Sequence, residues 1–257
     1  MQHGHGHLDV LIRTVDSDIP IIGTGQNNQI AFLKHLFVEY GKSKTLQLIP
    51  IHEVVLSLGP KARVMPLFHA LSGCDTTSSC IWCGKRVAWG AWGLVPGLTE
   101  TLLTIQSDPS QFTIESEHME RLERSYVLHY SKTCGQSRVN KARVYLFNTG
   151  ARLLDRMPPS QAALYQHIRR SLLQAGFIWA QALVLQPVLP PFTDWGWKRS
   201  SAGHLMPFWT ELEDASKACK VLISCTCKTS CRSCKCVLNG FRCISLCKCE
   251  GACTNNE

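Results

Sequence analysis

Nine cysteines fall within the 29 residues from Cys225 to Cys253, in the stretch CTCKTSCRSCKCVLNGFRCISLCKCEGAC. Cys225, Cys227, Cys231, Cys234, Cys236, Cys243, Cys247, Cys249 and Cys253 follow the spacing C-x-C-x3-C-x2-C-x-C-x6-C-x3-C-x-C-x3-C. Thiols at this density either pair as disulfides or hold metal ions. Within each C-x-C unit the two side chains leave the backbone on opposite sides, so one unit serves different ions. Zinc takes four thiolates, so about three separate ions would need more ligands than nine cysteines offer unless some thiolates bridge two ions each. The polar, Gly-containing intervals between the cysteines cannot build an apolar core, and bound ions would have to supply the folding energy. The interleaved Lys228, Arg232, Lys235, Arg242 and Lys248 would offset thiolate charge and present cations to phosphates.

Compartment bears on the choice between metal and disulfide. The opening MQHGHGHLDVLIR has only a short apolar stretch and no small-residue cleavage site, so it does not read as a secretory signal. The expectation is a nuclear or cytoplasmic protein in a reducing pool, where dense cysteine favours metal. His3, His5 and His7 are either weak metal ligands or part of a ragged terminus. No apolar run is long enough to span a membrane.

A second chemistry is suggested by Asp16 and Asp18 in TVDSDIPII and by Asp75 in HALSGCDTTSS. Carboxylates at a strand end, joined by one from a distant turn, can hold Mg or Mn for phosphodiester hydrolysis. The structural alternative is that these are ordinary turn aspartates, with His69 and Cys74 packed on a short apolar helix.

The formal net charge of +8 points toward a polyanionic partner. Residues 131–170 carry eight Lys or Arg against Asp155 alone, and the tail from Cys219 carries six against Glu250 and Glu257. Either segment is a binding face or a solvated one.

The elements expected to position these residues begin with strands at 8–15 and 19–23, then a helix from Asn27 to Tyr40 built on Ile30, Leu33 and Phe37. TLQLI reads as a strand and IHEVVLSLG as a helix stopped at Gly59–Pro60. MPLFHALS is a short helix entering a turn, and 111–130 and Asn140 to Leu154 are helical. The clearest helix is QAALYQHIRRSLLQAGFIWAQAL, capped by Ser160. The Pro-, Gly- and Trp-rich stretch after it has no period and reads as an irregular arm laid on the core by Trp195, Trp197 and Trp209, or as a surface for a protein partner. These readings divide the chain into an α/β region at 1–130, a basic helical region with its arm at 131–214, and a cysteine-rich module at 215–257.

The tail resembles one repeat of the CXC domain of tesmin/TSO1-like proteins and, more loosely, the cysteine-rich segment preceding some histone-methyltransferase SET domains. The likeness implies three zinc ions on nine cysteines and, for the first family, DNA binding. Cys225-Thr226-Cys227-Lys228-Thr229-Ser230-Cys231 keeps the opening, whereas Ser233 stands where that family places a DNA-reaching tyrosine. Residues from about 10 to 95 resemble the latter part of a PIN-like or flap-endonuclease-like nuclease domain, through Asp16, Asp18 and Gly73-Cys74-Asp75, with Gly84-Lys85 in the place of a duplex-clamping element. The chain starts after the first acidic strand of such a domain, so the expectation is a partial PIN-like three-layer α/β domain with added helices. Nearly the whole chain also resembles uncharacterised invertebrate proteins related to mobile elements, which share HAL[ST]GCDTTS and a GWGW-like patch. The resulting expectation is a zinc-binding, nucleic-acid-binding protein with DNA as its partner. A truncated nuclease and a protein-interaction module are the competing readings.

Overall fold

The computed structural model describes residues 8–29, 33–149, 156–210, 225–227, 231–238, 240–243 and 247–255. Two compact units divide the chain, Met1–Trp209 and Thr210–Glu257. The first is a mixed α/β body with two small open sheets.

Strand β1 (Leu8–Thr14) pairs in parallel with β2 (Leu33–Tyr40), and β3 (Gln47–Pro50) runs antiparallel to β2, giving the order β1-β2-β3. Helix α1 (Asp18–Gln26) lies in the crossover between the parallel strands. The strand expected at 19–23 is therefore helical. Asp18 supplies a negative charge in the first turn, where Pro20 also costs no backbone bond. Gly25 lets the helix approach Pro66 closely: a Cβ there would stand 2.5 Å from Pro66 Cγ. The helix expected from Asn27 to Tyr40 is replaced by a 3-10 turn at Asn27–Gln29 and by β2. Leu36 and Val38 are buried at a spacing of two, and the aromatic and β-branched run Phe37-Val38 with Tyr40 suits a pleated strand. Ile30 lies outside the described residues.

The remaining body is helical: α2 (Ile51–Leu58), α3 (Met65–Ser72), α4 (Lys85–Trp92), α5 (Leu98–Ser107), α6 (Glu117–Tyr130), α7 (Val139–Asn148) and α8 (Gln161–Leu172). Leu36, Val38, Ile51, Val55 and Ala62 form a small core between the sheet and α2. A larger core runs from Val64 through Met119, Leu122 and Val139 to Leu164, Ile168 and Leu172, so residues on either side of position 130 share it. Ser160 caps α8 as expected, accepting from the Ala163 amide at 3.3 Å. Beyond Leu172 the helix widens into a π segment, Leu173–Ile178. Gly176 sits there against Pro109, whose Cγ would lie 2.8 Å from an added Cβ.

The Trp-rich arm is more regular than its sequence suggests. β4 (Trp197–Arg199) and β5 (Leu205–Pro207) pair as an antiparallel hairpin. Arg170, buried on α8, clamps it by donating from one guanidinium nitrogen to Gly196 O at 3.0 Å and Phe208 O at 2.8 Å. Trp195 packs on the main core, whereas Trp209 is 55% exposed and lies under the Arg170 guanidinium instead of anchoring in the core.

Candidate metal centre

The short intervals of the tail leave the sulfur atoms as its core: Cys225, Cys231, Cys234, Cys236, Cys243, Cys247 and Cys249 are buried together, with Cys227 and Cys253 packed against them. A turn of helix, Lys235–Leu238, follows Cys234. Gly240 turns the chain back with φ +69°, and the Phe241 amide donates to Cys236 O at 2.9 Å. The Lys248 amide donates to Cys225 O at 2.9 Å, which brings the late C-x-C unit against the first. The Asn255 side chain donates to Phe241 O and Cys243 Sγ, holding the end of the tail on the cluster.

Three groups of sulfurs each lie within 4.8 Å of one another: Cys225, Cys234, Cys236 and Cys243; Cys225, Cys231, Cys243 and Cys249; Cys225, Cys227, Cys231 and Cys234. Cys225 belongs to all three, and Cys231, Cys234 and Cys243 to two each. Individual separations are 3.7 Å for Cys225–Cys231, 3.8 Å for Cys225–Cys243, 4.0 Å for Cys231–Cys249 and 3.7 Å for Cys236–Cys247. Four thiolates placed tetrahedrally at the usual zinc–sulfur distance are about 3.8 Å apart, whereas a disulfide brings its sulfurs to about 2.05 Å. The nine tail cysteines are thiols; seven of them make up these groups, and Cys247 and Cys253 fall in none. Burial, followed by hydrogen bonding with Cys247, pushes the Cys236 thiol up to about 12, and burial raises Cys231 as well. Buried thiols crowded in this way would carry charge far more readily around a divalent ion. The donor set therefore fits metal.

Arg232, Arg242 and Lys248 are exposed around the cluster, as is Ser233. Lys235 belongs to the short helix. Lys228, Cys219, His3, His5 and His7 lie outside the described residues.

The aspartates are arranged differently from a metal cluster. Among the described residues every group of three or more potential ligands within 4.8 Å is made of cysteines, so Asp16, Asp18 and Asp75 do not form one. Asp18 instead accepts from His69 Nε2 at 2.9 Å, and Asp16 accepts from the Asp18 amide at 2.9 Å. Asp75 is exposed on the turn after α3. Around it the HALSGCDTTSS motif is tied to the core: Thr77 donates to Ala70 O, Thr76 to Gln174, and Ser78 lies 3.3 Å from His167 Nδ1. Gly73 has φ +104° and a Cβ there would meet Ser79 Cβ at 2.6 Å. Lys85 caps the helix end, its ammonium donating to Gly73 O, to Ser72 Oγ at 3.2 Å and to His69 O at 3.4 Å.

Much of the basic region is likewise engaged within the body. Arg138 pairs with Glu120 and the buried Glu123, both at 3.0 Å, and Arg143 donates to Pro158 O. Arg169 lies over Tyr165 and Trp195, and Arg170 is 3% exposed. Lys132, Lys141 and Arg156 remain exposed, and Arg152 lies outside the described residues. The feature missed in the sequence is this internal use of arginine: Glu120 and Glu123, one turn apart on α6, were its available signal.

Comparison with protein-family models, with curated proteins and with solved structures gives no match for this chain. No helix among the described residues is long and apolar enough to cross a membrane.

Proposed function

We propose that this chain is a zinc-binding, non-catalytic protein whose cysteine tail docks on nucleic-acid phosphates. The observation that carries the reading is the overlap of the sulfur groups, in which Cys225 is common to all three. Shared thiolates are what allow nine cysteines to serve more ions than separate tetrahedra would permit. All nine would hold the ions, which would supply fixed positive charge and the folding energy of a segment with little apolar core. Arg232, Arg242 and Lys248 project outward around the cluster, and Lys228 and Lys235 add to the same stretch of sequence. Contacts of this type read the backbone rather than the bases.

Native mass spectrometry of the full chain, with and without chelator, tests the metal. About three zinc ions lost together with tail structure is the expected result. A metal-free chain lighter by about 2 Da for each disulfide overturns it. Binding to a short DNA duplex across a salt series tests the ligand. Log affinity should fall with log salt with a slope no steeper than about −4.5, the limit for five phosphate contacts. Salt-independent binding would instead favour a surface built on exposed aromatics such as Trp209.

A further inference from the structure

Strand β1 is an edge strand: it hydrogen-bonds β2 on one side, and among the described residues nothing pairs with the other. Edge strands are normally shielded by brevity, proline, bulges or inward charges. This one has a register irregularity between Leu8 and Asp9 at its start, but it is seven residues long and apolar at most positions, with Leu8 52% and Leu11 58% exposed and Val10 and Ile12 each 36% exposed. An open apolar edge of this length is a ready template for another strand and calls for an occupant.

The sequence LDVLIRT shows what that occupant is. We propose that β1 pairs antiparallel with β1 of a second copy of this chain, about a two-fold axis through Leu11. In that register Asp9 lies opposite Arg13 of the copy, Val10 opposite Ile12, and Leu11 opposite itself, so every charged residue meets its opposite and the central apolar residues meet each other, with Leu8 facing Thr14 at the ends. Moving the register by one or two residues puts Arg13 opposite an apolar residue or beyond the pairing, and Asp9 loses its partner. Only this pairing is self-complementary, as an isologous interface requires. Each chain has also positioned the charges. Asp9 is held 2.9 Å from His35, and Arg13 is bound to Glu39, on the neighbouring strand. Pairing joins these into two networks, His35–Asp9–Arg13–Glu39, each crossing between copies, and the two three-stranded sheets become one of six.

Light scattering of the full chain in reducing buffer, over a concentration series, tests the proposal. The wild type should reach twice the 28.7 kDa of the chain. Asp9→Arg places two arginines opposite each other and Arg13→Asp places two aspartates, so each variant alone should remain a monomer. Mixed, they should form a heterodimer. The arginine introduced at position 9 of one copy then faces the aspartate introduced at position 13 of the other, and the second site keeps the native pair. Recovery on mixing also shows that both variants fold. A wild-type chain that stays monomeric to its solubility limit overturns the proposal. So does a dimer that survives both single variants, since it would use another surface, and so does a mixture that fails to associate.

Discussion

Asp18 and His69, 51 residues apart in the chain, form a hydrogen bond of 2.9 Å between the first turn of α1 and the last turn of α3. Both side chains are largely buried, at 19% and 6% exposure. Burial and then the nearby charge of Lys85 lower the pKa of His69, against the opposing pull of Asp18. One of the carboxylates that reads as a metal ligand in the sequence thus joins two helices through an imidazole.

Removing that acceptor should cost stability before it affects anything else. Asp18→Ala leaves His69 Nε2 buried without its partner, a loss of about 2 kcal/mol in urea denaturation. Asp18→Asn keeps an oxygen acceptor and should cost less than half as much. Equal losses in the two variants would show that the carboxylate charge, not the hydrogen bond, is what matters. A metal-dependent nuclease activity abolished by Asp18→Asn would return this residue to a catalytic role.

Gly73 makes a sharper case. Its φ of +104° belongs to a region that L residues rarely adopt, and Ser79 Cα and Cβ stand 2.9 and 2.6 Å from where a Cβ would be. The obstruction includes backbone, which cannot rotate away. Gly73→Ala should therefore destabilise the body by about 3 kcal/mol or more. Gly84→Ala is the control, because no atom lies within 4 Å of its added Cβ and its φ is negative. Similar thermal midpoints for the two variants would refute the argument.

Acid should weaken the body through two histidines, His167, which is buried, and His129, which is half-buried. Burial lowers His129 and His167 to about 4. His167 is held by Leu71 O at 2.9 Å, and His129 Nδ1 has no partner among the described residues. In the unfolded chain both take protons near pH 6.5, so below that value the unfolded state binds more protons than the native one. Their contribution is fully present above about pH 6.5 and is lost as pH falls toward 4, on the order of 3 kcal/mol for each histidine. Tryptophan fluorescence reports on the body alone, since the tail has no tryptophan. The urea midpoint should fall from about pH 6.5 to about pH 4.5, and His129→Phe should flatten that dependence.

What the sequence shows depends on whether the controlling interaction is local. The cysteine spacing is legible because the sulfur groups are built from side chains within 29 residues. β1, β3, α2 and the Ser160 cap are legible through alternation, turn signals and a capping hydroxyl. By contrast, α1 is helical because Gly25 admits Pro66, and β2 is a strand because Leu36 and Val38 face Ile51 and Val55. Neither partner lies within the window that periodicity reads. Asp18, Arg138 and Arg170 follow the same rule: each charge has a partner from another element, which the sequence around it does not show.

The cluster itself offers a test that depends on sharing. Cys225 lies in all three sulfur groups, whereas Cys227 lies in one. If thiolates bridge ions, removing the shared sulfur should disturb more than one site. Cys225→Ser is expected to release at least two zinc ions and Cys227→Ser about one, as counted by native mass spectrometry of the full chain. The backbone bond from Lys248 to Cys225 O does not involve the thiol, so the substitution does not remove it directly. Equal metal loss in the two variants would mean that the ions occupy separate tetrahedra or that the tail unfolds as a unit. Retention of the full complement in Cys225→Ser would remove that sulfur from the ligand set.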